Sequence, residues 1–212
     1  MIEQLNSLTK KEMFEVAKIH QEELPESIIA RLGIPFLKFY YSKMLLLDGF
    51  YVGVFRYNEK VAGFTSYSTD ADAIFKKAIF RFPFSLAASL FKKFFTNPLQ
   101  LLRCIFFVFF RDMAEPAVKE VLNGVKAEAF TVAVLNNYRS SEFIRKTGLS
   151  VAKLLLRDQF KHYQHLNVKR VKAFVSQDNK NAIIFHRLNG YQQVGSCNKF
   201  GIPSFGYIKE LE

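Results

Sequence analysis

The stretch VAVLNNYRSSEFIRKTGLS, residues 132–150, decides the fold of this 212-residue chain. It begins with the apolar run VAVL, whose two valines are typical of a strand. It ends where KTGLSVAKLLLRDQFKHY places apolar residues along one helical stripe. A basic segment that contains one glycine joins the predicted strand to the predicted helix. Its residues are Arg145, Lys146, Thr147, Gly148, Leu149 and Ser150.

A basic, small-residue segment at the start of a helix favours anion binding. The first amides of a helix have no partner within the helix and lie at the positive end of its dipole. Gly148 and Ser150 lack bulk, so backbone N–H groups can approach a pyrophosphate, and Arg145 and Lys146 add positive charge. The alternative is a glycine that eases a turn beside a solvated basic pair.

The flanking sequence predicts a mixed α/β domain. Thr9 and Glu12 have the spacing of a capping box before a first helix, and two β-rich runs flank a polar turn at residues 58–60. After the strand EAFTVAVL the pattern continues as helix, strand, helix and a terminal strand pair. We therefore expect one domain over residues 1–212 with a β-α-β-α-β-β second half.

Two blocks resemble the signature of the GNAT superfamily of acetyl-CoA-dependent N-acetyltransferases. VAVLNNYR is similar to the family's strand I-A-V-x-P-x-Y-R, and RKTGLS to the following R/Q-x-x-G-x-G/A. Asn136 replaces the usual proline, and additional residues around SSEFI separate the two halves. Residues 175–191 resemble V-x-x-x-N-x-x-A-x-x-x-Y-x-x-x-G-F, with Asn179 at the asparagine and His186 at the tyrosine.

The resemblance implies a GNAT-like α/β (α+β) fold, in which helices flank a mixed, mostly antiparallel sheet that carries a helical insertion. It also implies acetyl-CoA as co-substrate, direct transfer of the acetyl group to a primary amine, and no metal. The strand that ends at Val134 is expected to separate from the VKRVKAF strand, with pantetheine between them. The pyrophosphate is expected at residues 145–150, and Asn179 is expected to contact the cofactor. A strand amide in the cofactor-binding run Val132, Ala133 and Val134 is expected to bind the thioester oxygen.

Acetyl transfer needs a neutral amine and a proton for the departing thiolate. Glu128 begins the EAFTVAVL strand at the offset where some family members place a catalytic glutamate, and it is our candidate base. A solvated glutamate is the alternative. His20, Glu22 and Glu23 on the first helix compete for the same role. His186 takes the place of the family's proton-donating tyrosine and is the candidate acid, with a packed histidine as the alternative.

Residues 71–113 form an apolar and basic block that we interpret as an insertion. It holds eleven of the 24 Phe residues, and seven Lys and Arg against two Asp. Pro83 and Pro98 divide it into helical segments. Amphipathic Phe/Lys helices are typical of a lid over an acceptor or of a peripheral contact with an anionic membrane. The alternative is a helical subdomain whose Phe residues pack on the sheet.

The formal net charge of +11 favours an anionic partner. The sequence contains no RNP-type aromatic pattern, helix-turn-helix or zinc-ligand spacing, so nucleic acid is not the expected partner. Two cysteines, Cys104 and Cys197, are too few for a disulfide framework. Without a secretory signal or an uninterrupted apolar span, the sequence predicts a cytoplasmic protein that can associate with a membrane.

The beginning of the chain resembles a GNAT subgroup of polysaccharide and cell-surface sugar biosynthesis. Its pattern H-x-x-x-L-P-x-S-x-x-x-x-L-G-x-x-F-L-x-x-Y is matched by His20, Leu24, Pro25, Ser27, Leu32, Gly33, Phe36, Leu37 and Tyr40. This resemblance implies a small-molecule amine acceptor, namely an amino sugar that is nucleotide-linked or lipid-linked. The alternative function is a peripheral membrane or lipid-binding protein with a GNAT fold and little or no turnover.

Overall fold

The structure is a computed structural model that describes residues 2–5, 8–99, 101–102, 113–114 and 116–211. Its strands there are β1 (Ile2–Leu5), β2 (Phe50–Tyr57), β3 (Lys60–Ser68), β4 (Met113–Ala114), β5 (Ala127–Val134), β6 (Arg170–Ser176), β7 (Gln192–Lys199) and β8 (Ile202–Glu210). Its α-helices there are α1 (Lys10–Glu23), α2 (Ile34–Met44), α3 (Ala71–Arg81), α4 (Pro83–Thr96), α5 (Pro116–Leu122), α6 (Asn136–Arg139), α7 (Ser141–Thr147), α8 (Val151–His165) and α9 (Lys180–Leu188). Cys104 and residues 103–112 of the predicted insertion lie outside the described residues.

The strands form one sheet in the order β1-β2-β3-β5-β6-β8-β7-β4. Among the described strands, all neighbours are antiparallel except β5 and β6, which run parallel. Parallel neighbours need a crossover of a dozen or more residues, and the segment from α6 to α8 supplies it. The mixed, mostly antiparallel sheet with flanking helices confirms the predicted fold class.

The hairpin of β2 and β3 forms as predicted. Asn58 and Glu59 have φ values of 49° and 63°, as a two-residue turn between twisted strands requires. Side chains of a strand alternate between the two faces of the sheet. Val54 and Phe64 therefore pack with α1 and α2, whereas Phe55 packs with α8. The sheet thus has a helical layer and a core on each face.

The first helix begins at the predicted capping box. The Glu12 amide donates to Thr9 Oγ1, and the Thr9 amide donates to the Glu12 carboxylate. Glu12 also forms an ion pair with Arg56 of β2. A cap that satisfies two amides and at the same time pairs with a strand holds α1 in place on the sheet.

His20 connects α1 to α2. Its Nδ1 lies 2.6 Å from Tyr41 Oη and its Nε2 lies 2.8 Å from Ser27 Oγ. The ring stacks on Phe64 of β3 and is 1% exposed. Because burial disfavours the imidazolium, the pKa of His20 is lowered to about 4. His20 and Ser27, two positions of the sugar-subgroup pattern, thus contact each other inside the fold.

Several elements depart from the sequence prediction. β1, β4 and α5 were not predicted. β1 and β4 have four and two residues, which is too short to show a period. α5 has seven residues, about two helical turns. Residues 141–147, which we assigned to a loop, form α7. The hydroxyl of Ser140 accepts from the Phe143 amide and caps this helix, and such a cap is a sequence signal that we missed.

We expect the free energy of unfolding to fall as the pH drops from about 6.5 to about 4. Folded His20 has a pKa of about 4 and the unfolded side chain about 6.5, so between these values only the unfolded chain binds the proton. The full loss is about 3 kcal/mol. Urea unfolding across this pH range measures it. His20→Gln is the control: the difference between the two profiles isolates His20 from nearby carboxylates, and parallel profiles would contradict the expectation.

Candidate active site

β5 and β6 separate at the centre of the sheet. Within the described residues they pair at three positions, after which β5 continues to Val134 and β6 to Ser176 without pairing to each other. The paired residues are Ala127 with Val171, Glu128 with Lys172, and Ala129 with Ala173. The separation that the resemblance implied is therefore present, and it leaves a gap beside residues 130–134.

Two residues of β5 present their backbone to this gap. On the opposite edge, the Leu135 amide donates to the carbonyl of Ala62, in β3. Because successive residues of a strand direct N–H and C=O to opposite edges, Ala133 also faces β3, whereas Val132 and Val134 face the gap. Of the run Val132, Ala133 and Val134, the amides of Val132 and Val134 are thus the two that face the gap, and the contact of a strand amide with the thioester oxygen stays a prediction.

A β-bulge lies where the two strands separate. Ser66 pairs with Thr131 and Tyr67 pairs with Ala129, so Phe130 has no opposite residue in β3. Bulges bend a strand and redirect its side chains. The ring of Phe130 packs against Phe75 of the insertion at a centroid distance of 5.6 Å. The bulge thereby connects the gap to the helical layer formed by α1–α4.

Glu128 lies one residue before the separation and is 5% exposed. Ala127 and Ala129 pack on the α8 face, so Glu128 faces the opposite layer. Its Oε2 is 3.9 Å from Lys199 Nζ. Burial, together with the negative charge of Glu128, raises the pKa of Tyr40 above its ordinary value. Glu128 is therefore a buried carboxylate and not the solvated residue that the sequence left open; its role as base stays a prediction.

The predicted anion-binding segment is partly helical. Arg145, Lys146 and Thr147 form the last turn of α7, which corrects their assignment to a loop. Gly148 ends that helix with φ 69°, a left-handed conformation that glycine adopts without strain. Residues 149–150 then lead into α8, whose first turn is capped by no side chain among the described residues.

This arrangement suits a phosphate ligand. The amides at the start of α8 point along the helix axis and lie at its positive end. Arg145 and Lys146 are exposed beside them. A Cβ on Gly148 would meet no atom within 4 Å, so the turn borders open space that a ligand can enter. Pyrophosphate binding here stays a prediction.

Asn179 is the N-cap of α9. Its Oδ1 accepts from the amide of Ala182 at 3.0 Å. The N-x-x-A spacing in the resemblance is therefore also the spacing that an N-cap requires. The side chain is exposed and its Nδ2 can still donate to a ligand. The cofactor contact expected of Asn179 stays a prediction.

His186 is half-buried on α9. Its Nδ1 lies 2.8 Å from the carbonyl of Ala182, and its ring packs on Tyr191 and Tyr207. Burial lowers the pKa of His186 and outweighs the hydrogen bond to Ala182, which raises it. A neutral imidazole carries one ring proton. When Nδ1 uses that proton to donate to the carbonyl of Ala182, Nε2 has no proton to give to a thiolate. This geometry favours the packing alternative over proton donation at neutral pH.

The competing candidates for the base have other contacts. Glu23 accepts from the amide of Asn136 at 3.1 Å and pairs with Arg139 at 2.9 Å, which anchors the turn after β5. Glu22 forms a surface ion pair within α1. His20, with a pKa of about 4, is a weak base in its buried network. Glu128 also has an ion-pair partner, Lys199, and its advantage over the three is its position next to the gap between β5 and β6.

A cavity of about 340 Å³ lies beside Glu128, between the sheet and the helices α1–α4. Tyr40 and Lys199 contribute polar atoms to it, and sequence reasoning did not single out either for this role. No local pattern marks them, because they are distant from Glu128 along the chain and the fold alone brings them together.

The insertion helices α3 and α4 have two distinct apolar faces. One faces the cavity with the side chains of Phe75, Ala78, Ile79, Leu86 and Leu90. The other exposes large aromatic rings, with Phe80 at 85% and Phe84 at 88%. Phe91, Phe94 and Phe95 are also exposed. The subdomain packing that the sequence left as an alternative thus applies to one face, and the exposed aromatic surface to the other.

Among the described residues, no His, Cys, Asp and Glu side chains form a group of three or more that could hold a metal ion. In the same part of the chain, no helix is long and apolar enough to cross a membrane.

Comparison with known proteins identifies the fold. The sequence matches no protein-family model and no curated protein. The PaiA N-acetyltransferase of Thermoplasma acidophilum, solved with coenzyme A, aligns over 99% of both chains with a TM-score of 0.59 and 11% identity. A GNAT-family acetyltransferase from Streptococcus pneumoniae aligns over 100% of this chain and 99% of its own, with a TM-score of 0.54 and 14% identity. The chain has the GNAT acetyltransferase fold.

A third solved N-acetyltransferase structure is similar to this chain over its whole length. The ribosomal-protein-alanine N-acetyltransferase of Brucella melitensis aligns over 100% of this chain and 99% of its own, with a TM-score of 0.58 and 15% identity. Similarity at this level of identity establishes the fold, and the acceptor has to be inferred from the side chains of this chain.

We expect Gly148→Trp to weaken acetyl-CoA binding by about tenfold or more, because the ring would occupy the space in front of the α8 amides. Isothermal titration calorimetry measures the affinity.

Gly124→Trp is the matched control. Gly124 also has a positive φ of 76°, and a Cβ there would likewise meet no atom within 4 Å, so both variants carry the same kind of backbone strain. It precedes β5, at the opposite end of the strand from Val134. Equal affinities of the two variants would place the pyrophosphate elsewhere.

Proposed function

We propose that the protein is an acetyl-CoA-dependent N-acetyltransferase that transfers the acetyl group directly to a primary amine. The observation that carries the proposal is the gap between β5 and β6, where the backbone of Val132 and Val134 faces the opening and the carboxylate of Glu128 lies buried at its closed end. A solved protein of the same fold is in complex with coenzyme A, which supports acetyl-CoA as the donor.

The residues around the gap have the properties that acyl transfer requires. The amine nitrogen forms a bond to the thioester carbon, the carbon–sulfur bond breaks, and the carbonyl oxygen carries negative charge in between. Preorganised N–H donors at Val132 or Val134 stabilise that charge, because they need not reorient during the reaction. Glu128 accepts the proton that an ammonium acceptor must lose before the neutral amine can attack. The attacking nitrogen loses a second proton as the amide forms and the departing thiolate takes up one proton, so an acceptor that enters as an ammonium releases one proton per turnover.

The acceptor is proposed to be a small-molecule amine that enters the cavity beside Glu128. The resemblance to the sugar-biosynthesis subgroup supports an amino sugar, nucleotide-linked or lipid-linked, as one class. A panel of amino sugars, peptides, polyamines and aminoglycosides, assayed by release of the coenzyme A thiol, tests this finer proposal. Acetyl-CoA binding without thiol release from any amine would favour the alternative of a GNAT fold without turnover.

We expect Glu128→Gln to lower kcat by about 10² to 10⁴, because a positioned base contributes about this factor. Affinity for acetyl-CoA should stay unchanged, since Gln keeps the size of the side chain. Glu22→Gln, on the surface of α1, is the control and should retain wild-type kcat.

His186→Gln completes the test of the acid and base. From its lowered pKa and its bond to Ala182 we expect kcat within a few-fold of wild type. A loss comparable to that of Glu128→Gln would restore His186 as the acid. A wild-type kcat in Glu128→Gln would show that water or another group removes the proton.

We also propose that the exposed aromatic face of α3 and α4 contacts an anionic membrane surface. Phe80 and Phe84 are almost fully exposed, and the cations Lys76 and Arg81 are exposed on the same helix as Phe80. Aromatic rings at the acyl boundary and cations at the headgroups are the contacts of an interfacial helix.

We expect the double variant Phe80→Ser with Phe84→Ser to lower cosedimentation with phosphatidylglycerol vesicles by about tenfold, through lost apolar contact. Phe14→Ser, an exposed ring on α1, is the matched control. Added salt should weaken wild-type binding, since exposed charges are screened. Equal binding of the double variant, or none by the wild type, would contradict the proposal.

A further inference from the structure

The cavity beside Glu128 has a polar end and an apolar end. At the sheet end lie Glu128, the ammonium of Lys199 and the hydroxyl-bearing Tyr40. Away from these three, most lining side chains of α2 and of the insertion carry no hydrogen-bonding atom; the exception on α2 is Lys43, whose ammonium lies 5.3 Å from the centre of the Phe82 ring. The apolar side chains include Phe36, Phe39, Phe75, Ile79, Leu86 and Leu90.

The apolar end determines what can bind there. A hydroxyl buried against these side chains loses its hydrogen bonds to water and gains none, which is unfavourable. An alkyl or aromatic group in the same place gains from leaving water. The cavity of about 340 Å³ is within the size range of small-molecule sites. A free sugar therefore suits this end poorly, and an apolar group suits it well.

We propose that the acceptor is an amphipathic amine, whose amino group lies at Glu128 and whose alkyl or aromatic body fills the apolar end between α2 and the insertion. This inference rests on the proposed function and names its substrate class. It includes lipid-linked amines and excludes free amino sugars as the preferred acceptors.

Charge orients the ligand in the cavity. Among the described lining residues, Lys43 and Lys199 are cationic and Glu128 is the acidic one, with its carboxylate 3.9 Å from the Lys199 ammonium. Because opposite charges attract strongly where the local dielectric constant is low, the Glu128 carboxylate is the place in this lining where an ammonium pairs favourably. The amine is then held beside the gap between β5 and β6, where Val132 and Val134 present their backbone. The apolar body has to extend away from the sheet, towards α3 and α4.

The first experiment measures kcat/KM for a series of n-alkylamines from butylamine to dodecylamine, with glucosamine as the polar comparison and acetyl-CoA as donor. We expect kcat/KM to rise about fourfold per methylene until the chain fills the cavity, and then to level off. A flat series, or a preference for glucosamine with normal turnover, would overturn the inference and leave the proposed function intact.

Variants of the cavity move the chain-length limit. Ala78→Trp fills the space beside α3 and should shift the preferred amine to shorter chains, whereas Leu90→Ala enlarges the cavity and should shift it to longer ones. The controls are Ala88→Trp and Leu99→Ala, at exposed positions of the insertion, which should keep the wild-type limit. Leu90→Ala keeps the test decisive if Ala78→Trp fails to fold. An unmoved limit in Leu90→Ala would overturn the inference.

Two further measurements separate the inference from the proposed function. Calorimetry of the same amines without acetyl-CoA measures the length dependence of binding. If affinity rises with chain length but no thiol is released, the proposed function fails and the amphipathic ligand stands. If affinity is independent of length, the inference fails. A comparison of decanoyl-CoA with acetyl-CoA, each with ethylamine as acceptor, tests the donor. If kcat/KM is higher with decanoyl-CoA and does not depend on the length of the amine, the cavity holds the acyl chain and the inference is overturned.

Discussion

Backbone N–H and C=O groups inside a sheet need partners. Those of Val132 and Val134 face away from β3, and they do not pair with β6 because β6 turns away from β5 before this point. In the described part of the chain, the two strands pair at three positions before they separate. Leaving buried polar groups without partners is costly, so this edge of β5 is suited to a ligand that supplies the missing hydrogen bonds. The separation therefore places the candidate site at this edge of β5, next to the buried carboxylate of Glu128.

The other edge of β5 is held close to β3. A Cβ on Gly63 would lie 2.7 Å from the carbonyl oxygen of Ala133, a contact that only glycine avoids. This close approach fixes the direction of the Ala133 backbone and therefore the opposite direction of Val132 and Val134. Glu23, which holds the turn at Asn136, secures the end of the same strand. Groups far from the reacting atoms thus determine the geometry of the gap.

The helical layer on the Glu128 face combines a buried polar contact with an apolar cover over the cavity. His20 and Tyr41 form a buried polar contact beneath α1 and α2, and the neutral state of His20 avoids burying a charge. The insertion adds apolar side chains over the cavity and aromatic rings on its outer face. In the two proposals, the inner face of the insertion would bind the apolar body of the acceptor and the outer face would contact an anionic membrane surface.

Local patterns in the sequence determined most of the secondary structure and the fold class. The capping box at Thr9, the turn at Asn58 and the strand EAFTVAVL are recognisable because each depends on near neighbours in the chain. The helical state of Arg145 and the orientation of Ala133 were not predicted, since the first needed the Ser140 cap to be noticed and the second depends on pairing with β3. Tertiary structure alone decided that Glu128 is buried beside Lys199 and that His186 packs against Tyr191 and Tyr207. Burial and charge environment arise from residues distant in sequence, and no periodicity records them.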